Sequence, residues 1–247
     1  MLLRIITLAF AALLFQASTA WTSPLYILFD QANPPFMYAA DSKAVGIYPA
    51  IIAEAFARMG QPVVLEALPW KRALISMDDG HAGVAGIYKT EERLHKYDYS
   101  DPLFEETLLV VTRAGSSLKY EGIESLRGLV LGISRGWTYG DEFEAARKAG
   151  LFTVEEADGD GQNLEKLRAQ RIDVILCVRE AAFSAMAGSG TRDRFSVQEM
   201  PFSVNPAFLA FSRQENKEKT LAEFNAALRS MRGDGTWDNI VTSILGK

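Results

Sequence analysis

Short apolar runs bounded by Gly, Pro or Asp alternate along the chain with segments in which apolar residues recur at helical spacing. The runs predict strands at 25–29, 63–66, 83–87, 108–112, 129–133, 172–178 and 207–211. The helical spacing predicts helices at 49–59, 70–77, 139–149, 164–170, 221–231 and 237–244. This alternation is typical of βα units and predicts an α/β protein. The run at 172–178 is apolar almost throughout, as buried parallel strands are.

The segment after residue 205 contains one predicted strand and two amphipathic helices, but no sheet of its own. It must therefore pack on a sheet built earlier in the chain. At this length one hydrophobic core tends to divide into two. We therefore expect a discontinuous domain, in which the C-terminal segment returns to the N-terminal one.

Composition and charge exclude several classes of protein. With 48% apolar and 23% charged residues, the 247-residue chain is that of a folded globular protein. Its 26 basic and 31 acidic residues give a net charge of -5, so we expect no nucleic-acid partner. One cysteine and two histidines supply neither an internal disulfide nor a structural metal site, and we expect no metal and no cofactor.

The first twenty residues have the pattern of an export signal. Arg4 precedes an apolar run at 5–15, and small residues at 17–20 provide a cleavage site after Ala20. The run is shorter than the roughly 20 residues that a membrane-spanning helix needs. We therefore predict a cleavable signal peptide at 1–20 and a periplasmic mature protein, with an uncleaved anchor as the alternative.

Two adjacent motifs are the most specific in the chain. The segment 86–93 reads GIYKTEER and the segment 97–102 reads YDYSDP. Shorter motifs lie at 30–36, 46–48, 132–138, 171–174 and 233–237. In order and spacing, this set resembles the extracytoplasmic solute-binding proteins of family 3, the polar amino-acid transport type, over essentially the whole mature chain.

The resemblance implies the type II fold of periplasmic binding proteins. This fold has two α/β lobes, each a mixed, mainly parallel sheet flanked by helices, which close over a ligand held between them. Lobe 1 would comprise residues 21–112 and 206–247, and lobe 2 residues 113–205. The resemblance thus supplies the discontinuous domain expected from the C-terminal segment.

The resemblance also implies that Arg93 and Thr138 hold the carboxylate of a ligand from opposite lobes. A guanidinium group presents a planar pair of donors that matches a carboxylate. Thr138 follows a predicted strand and opens a predicted helix, whose free N–H groups favour an anion. The alternatives are a surface ion pair of Arg93 with Glu91 or Glu92, and simple helix capping by Thr138.

Further contacts to the ligand are expected from Asp30, Phe36, Trp70 and Tyr88. The aromatic rings could form a wall of the site, and Asp30 could pair with a cation or hydroxyl. Phe36 and Trp70 could equally be core residues. Gly86, at the start of the most specific motif, completes this side of the expected site.

The chain departs from the family pattern at Val178, where the family has an aspartate that neutralises the ligand ammonium. An ammonium group without a counter-charge in a closed cleft costs several kcal/mol. Asp30, Glu180 or a carbonyl could replace the acid, or the ligand is not an α-amino acid. Arg179, beside this position, could add an anion contact.

Two other features are expected to be structural. The acidic segment 158–161 lacks the sixth-position Gly and the Glu of a calcium loop, and we interpret it as a turn. Gln162 and Asn163 follow it at the start of a predicted helix that could reach the cleft. Cys177 lies in an apolar strand and is expected to be buried and inert.

Three functions are consistent with these features. The first is a monomeric, non-enzymatic binding protein that captures a small carboxylate-bearing solute, such as an amino acid, and delivers it to the membrane permease of an ABC transporter. The second is an exported enzyme resembling cyclohexadienyl dehydratase, for which the sequence shows no obvious general acid. The third is a ligand-sensing module for a separate membrane partner.

Overall fold

A computed structural model describes residues 23–190 and 192–246; the predicted signal peptide at 1–20 lies outside them. The described strands are β1 (Leu25–Asp30), β2 (Ala32–Asn33), β3 (Met37–Ala40), β4 (Lys43–Val45), β5 (Val63–Leu68), β6 (Gly83–Ile87), β7 (Tyr97–Tyr99), β8 (Phe104–Arg113), β9 (Val130–Ser134), β10 (Thr153–Ala157), β11 (Val174–Val178), β12 (Phe195–Val197) and β13 (Ser203–Ser212). The helices are α1 (Ile47–Met59), α2 (Trp70–Asp78), α3 (Glu91–Lys96), α4 (Asp141–Lys148), α5 (Asp160–Arg168), α6 (Arg179–Ser189), α7 (Glu218–Gly233) and α8 (Thr236–Leu245).

The main sheet has the strand order β10-β9-β11-β8-β13-β6-β1-β5. At one end, β5, β1 and β6 are parallel and β13 runs antiparallel to β6; we call this the first half-sheet. At the other end, β10, β9 and β11 are parallel and β8 runs antiparallel to β11; this is the second half-sheet. The mixed, mainly parallel sheets expected from the resemblance are confirmed.

Two long strands connect the half-sheets. Residues 104–108 of β8 pair antiparallel with residues 203–207 of β13. Beyond this shared ladder, β8 continues along β11 through residues 108–111, while β13 continues along β6 through residues 208–210. The C-terminal segment therefore completes the first half-sheet, on which α7 packs through Phe224 against Phe56 of α1.

The apolar pattern located most of the sheet correctly. Residues 27–30 of β1 and all residues of β6 and β11 are buried, as strands covered on both faces must be. Cys177 is buried within β11, which confirms its expected place. The pattern missed β10 and α6, as well as the small antiparallel sheet of β2, β3 and β4.

Two predicted helix starts are wrong. The predicted helix at 139–149 begins at Asp141, because Gly140, with φ 97°, turns the chain into α4 from a conformation that other residues rarely adopt. Thr138 therefore does not cap this helix. The segment 158–161 is not simply a turn, because α5 already begins at Asp160 instead of 164. Both changes alter which side chains lie at the ends of the strands.

Gly46, the residue before α1, lies directly against the backbone of Pro35 and Phe36. Its φ is 115°, and a Cβ added there would lie 2.6 Å from the carbonyl oxygen of Phe36 and 2.7 Å from that of Pro35. Both oxygens also accept helix-start hydrogen bonds, from Ile47 and Tyr48. A side chain at position 46 would thus clash with two carbonyl groups that these hydrogen bonds hold in place.

We predict that Gly46→Ala lowers the free energy of unfolding by about 1–3 kcal/mol more than Gly122→Ala does, because of overpacking. Gly122 has nearly the same backbone conformation, with φ 124°, but nothing lies within 4 Å of an added Cβ. Urea denaturation of both variants measures the difference. Equal losses would show that backbone strain alone, and not the close approach, decides the cost.

Candidate ligand-binding cleft

The carboxyl ends of the parallel strands in both half-sheets carry the candidate site. In the first half-sheet Asp30 ends β1, Trp70 opens α2 after β5, and Tyr88 follows β6. In the second, residue 137 follows β9, residue 160 follows β10 and residue 179 follows β11. Ligands of open α/β sheets bind outside the carboxyl ends of the strands. We call the space between these two sets of residues the cleft.

Asp30 and Trp137 form a direct bond across the cleft. Trp137 Nε1 donates to Asp30 Oδ2 at 2.7 Å, and the backbone N–H of Ala32 donates to Asp30 Oδ1 at 3.0 Å. Asp30 is only 7% exposed. Burial raises the pKa of Asp30, and the hydrogen bond from Trp137 opposes that rise. Both carboxylate oxygens are therefore engaged by the protein itself.

The Trp137 ring also packs against both aromatic side chains of the opposite wall. Its ring centre lies 6.3 Å from that of Trp70 and 6.3 Å from that of Tyr88, the latter in an edge-on arrangement. Trp70 and Tyr88 are thus brought together as predicted cleft residues. Trp137 was not predicted as a site residue, although its place after a predicted strand and beside Thr138 was an available signal.

Other contacts across the cleft lie nearer its edges. Lys71 of α2 approaches Glu156 of β10 at 3.7 Å, and the backbone N–H of Glu91 donates to Asp141 Oδ2 at 3.5 Å. Such partly exposed contacts contribute little each. Together with the Asp30–Trp137 bond, they hold the two half-sheets in a closed arrangement.

Two neighbouring cavities remain in the closed cleft. The first, of about 150 Å³, is bounded by Asp30, Trp70 and Trp137 among others. The second, of about 290 Å³, is bounded among others by Asn33 from the first half-sheet and Asp160 from the second. Ala32, Asp158 and Gly159 border both cavities, which are therefore adjoining parts of one cleft.

A buried carboxylate lies behind Tyr88. Glu106 of β8 is 1% exposed and accepts hydrogen bonds from the hydroxyls of Tyr48 and Tyr88. Burial raises the pKa of Glu106 to about 7, although both hydrogen bonds favour its charged form. The Tyr88 hydroxyl is therefore engaged in the core, and its ring is the part that faces Trp137.

Asp160 is a third acid with a raised pKa, after Asp30 and Glu106. It is the first residue of α5 and is partly buried. Burial, aided by the negative charge of Asp30, raises the pKa of Asp160 to about 7. Neither Asp160 nor Glu106 was predicted as a site residue, because residue 160 was assigned to a turn and residue 106 precedes the strand predicted at 108–112.

Arg93 lies on α3, whose first turn is capped by the Thr90 hydroxyl. It is partly buried, and its Nη1 donates to the backbone carbonyl of Tyr88 at 3.1 Å. Burial lowers the pKa of Arg93. Among residues 23–190 and 192–246 it forms no ion pair, and Glu92 pairs with Lys96 instead. The surface pair considered as its alternative is therefore absent from the described residues.

The remaining predicted site residues occupy different places. Phe36 is fully buried and packs on Tyr48 and Phe104, which is the core position left open for it. Gly86 is buried in β6, where an added Cβ would lie 2.6 Å from Met37 Cε. Thr138 accepts a 3.4 Å hydrogen bond from the N–H of Gly140, and Arg179 is exposed.

The described residues include no cluster of three or more His, Cys, Asp or Glu side chains that could ligate a metal ion. Over the same part of the chain, no helix has both the length and the apolar character needed to cross a bilayer. The residues that border the two cavities supply carboxylates, aromatic rings, the cations of Lys71 and Arg135, and backbone N–H groups, whereas Arg93 borders neither cavity.

The model of the bacterial extracellular solute-binding proteins, family 3, matches residues 25–247. The chain belongs to this family. It is 27% identical over 215 residues to the L-cystine-binding protein TcyJ of Escherichia coli strain K12, covering 86% of this solute-binding protein and 79% of TcyJ.

Solved structures share its fold. The arginine-, lysine-, histidine-binding protein ArtJ of Geobacillus stearothermophilus is 22% identical, with a TM-score of 0.76 and coverage of 91% of this chain and 96% of ArtJ. A histidine kinase sensor domain with similarity to periplasmic binding proteins is 19% identical, with a TM-score of 0.80 and coverage of 90% and 96%. These likenesses confirm the two-lobed α/β fold.

We predict that Trp137→Phe lowers the free energy of unfolding by about 1.5–3 kcal/mol near pH 8, because it removes a hydrogen bond to a buried carboxylate. That bond favours ionised Asp30, so its contribution is present above the pKa of Asp30 and is lost as the pH falls through it. The loss of stability should therefore be smaller near pH 4, where a larger share of Asp30 is protonated.

Trp237→Phe is the matched control for Trp137→Phe. Trp237 Nε1 donates at 3.0 Å to the backbone carbonyl of Leu103, an acceptor that does not titrate. Its loss should be the same at both pH values in urea denaturation. If the loss for Trp137→Phe is also independent of pH, the bond to Asp30 does not stabilise the closed form as described.

Proposed function

We propose that this solute-binding protein holds an α-amino acid in the cleft and delivers it to the membrane permease of an ABC transporter. The observation that carries the proposal is Arg93, a partly buried arginine without an ion pair in the described residues, anchored to the wall of the cleft through the Tyr88 carbonyl. An unpaired guanidinium at this place is suited to a carboxylate. The names of TcyJ and ArtJ support an amino acid as the ligand.

Arg93 would grip the ligand carboxylate from the first half-sheet, with Thr138 and the free N–H groups at the start of α4 opposite it. The hydrogen bond from the backbone N–H of Glu91 to the Asp141 carboxylate already brings the N-termini of α3 and α4 together. Asp30, Trp70 and Trp137 would then surround the ligand side chain. Because Trp137 contacts the other two, ligand entry requires the indole to move or the cleft to open.

The proposed lobes follow the division expected from the sequence, namely 21–112 with 206–247, and 113–205. One adjustment is supported by strand pairing. Residues 108–111 of β8 pair with β11 of the second half-sheet, so the first crossing between lobes is better placed at 104–107. The second crossing, at 203–207, is the antiparallel partner of the first.

The cellular setting proposed for the protein is the periplasm, as a monomer released by cleavage after Ala20. The family consists of extracellular solute-binding proteins. A sensing role would use the same cleft with a different membrane partner. The genes adjacent to this one distinguish the two roles, since a permease and an ATPase would indicate transport.

We predict that L-arginine or L-cystine raises the melting temperature of the mature protein, and that Arg93→Ala abolishes the rise. A ligand at about 100 times its Kd stabilises by about 2.7 kcal/mol. Arg93→Lys should keep only part of the effect, because an ammonium group lacks the planar pair of donors. Thermal unfolding with and without each amino acid measures this.

Arg127→Ala is the control for Arg93→Ala. Arg127 is an exposed arginine whose guanidinium is paired with Glu124, and its removal should leave the ligand response unchanged. A full response in Arg93→Ala would remove Arg93 from the site. A wide panel of amino acids without any response from the wild type would contradict amino-acid binding itself.

One observation favours the dehydratase alternative. Burial raises the pKa of Glu106 and of Asp160 to about 7, so each can hold a proton near neutrality as a general acid must. Glu106, however, is enclosed by Tyr48 and Tyr88 and is 1% exposed. We therefore favour binding without turnover.

We predict that the mature protein forms no aromatic product from prephenate or arogenate. Glu106, the more deeply buried of the two acids with a raised pKa, cannot reach a substrate. Ultraviolet absorbance and mass spectrometry after prolonged incubation measure the product. Turnover that disappears in Asp160→Asn, but not in Asp158→Asn, would show that the protein is a dehydratase with Asp160 as an essential acid, and would contradict binding without turnover.

A further inference from the structure

Asp160 is an acid that the described residues leave without a partner. No hydrogen bond or ion pair within 23–190 and 192–246 reaches its carboxylate, although the residue is partly buried at the start of α5. Asp30 differs in this respect, because Trp137 and the N–H of Ala32 occupy both of its oxygens. A carboxylate that is partly withdrawn from water and has no partner is stabilised by a cation that joins it.

The charge of Asp160 influences groups in both half-sheets. The negative charge of Asp160 raises the pKa of Tyr88 from the first half-sheet, and of Tyr139 and Cys177 from the second. Cys177 directly precedes Val178 at the end of β11. The charge of Asp160 thus acts on groups of both half-sheets, and the cavity that Asp160 borders is lined from both of them.

A separate observation also indicates a ligand at this place. The side-chain Nδ2 of Asn33 is buried and has no hydrogen-bond partner in the described residues, and Asn33 is only 5% exposed. Asn33 and Asp160 border the same cavity of about 290 Å³, from opposite half-sheets. Buried polar groups are normally paired, so an unpaired donor beside a cavity calls for an acceptor within it.

Glu180, the other acid near position 178, is placed differently. Its charge raises the pKa of Glu106 and Tyr48, and Asp160 also raises that of Glu106, so this effect does not separate the two acids. Glu180 is not among the residues that border either of the two cavities described in the cleft. Asp160 is therefore the acid that combines an unengaged carboxylate with access to the cavity.

We propose that Asp160 holds the ammonium group of the ligand, replacing the aspartate that the family resemblance places at position 178, while Asn33 donates to an acceptor of the same ligand. This inference rests on the proposed function, because it assigns the ammonium contact of the same site. Its ligand class is a solute that carries both a carboxylate, for Arg93, and a primary ammonium, for Asp160. The carboxylate of Asp160 then acquires the cation that it lacks among residues 23–190 and 192–246.

The test compares pairs of probes that differ only in the α-ammonium group. L-arginine is compared with 5-guanidinopentanoate, and L-cystine with 3,3′-dithiodipropionate, by isothermal titration calorimetry on the mature protein. The wild type should bind an amino acid of at least one pair about tenfold or more tightly than its deaminated partner, a difference of about 1.4 kcal/mol. Asp160→Asn should abolish that preference without weakening the deaminated partner.

Two further variants separate a ligand contact from a structural role. Asp158→Asn changes an acid that borders both cavities but is paired with Arg135 at 2.7 Å, and it should keep the wild-type preference. Adding Val178→Asp to Asp160→Asn should restore part of the preference, because it returns an acid to the neighbouring strand end. An unchanged preference in Asp160→Asn, or an equal loss for both members of a pair, overturns the proposal.

A third measurement separates this proposal from the proposed function. Methylammonium chloride, compared with sodium chloride at equal ionic strength, should raise the melting temperature of the wild type more than that of Asp160→Asn. If neither amino acid binds but this difference is present, Asp160 is a cation site and the amino-acid function is wrong. If neither probe pair nor methylammonium gives a response that depends on Asp160, the proposal is wrong.

Discussion

The antiparallel ladder between β8 and β13 is the constraint on which the molecule depends. The two strands pair with each other over part of their length. Beyond it, β8 joins the second half-sheet and β13 joins the first, so the ladder fixes the relative position of the half-sheets. The carboxyl ends of both sets of parallel strands consequently border the same space. Without the ladder, Asp30 and Trp137 would belong to separate sheets with no defined distance between them.

Glu106 ties this ladder to the wall of the cleft. It lies within the β8–β13 ladder, opposite Asn205, and its carboxylate binds Tyr48 of α1 and Tyr88 at the end of β6. A buried acid with two hydroxyl donors orients both rings, since its geometry admits few alternatives. The Tyr88 ring that meets Trp137 is thus positioned by a charge that never contacts the cleft.

The apolar pattern located most strands of the main sheet but not the residues of the cleft. Strands such as β1, β6 and β11 are buried on both faces, and continuous apolar runs reveal them. Asp160 follows β10, whose sequence TVEEA has too few apolar residues to be recognised, so its place at a strand end was hidden. Trp137 lies in the irregular segment between β9 and α4, which contains positive φ angles at Gly136 and Gly140. The resemblance supplied Arg93 and Tyr88 because their motif is contiguous, whereas contacts between distant segments require the folded chain.

The contact between Trp70 and Trp137 has an optical consequence. The two indoles belong to different half-sheets and lie 6.3 Å apart between ring centres, with their planes inclined by 52°. Chromophores this close couple their electronic transitions, and the coupling falls steeply with distance. Any motion that parts the half-sheets therefore changes the near-ultraviolet circular dichroism of the protein, so the cleft contains its own spectroscopic indicator of whether it is open or closed.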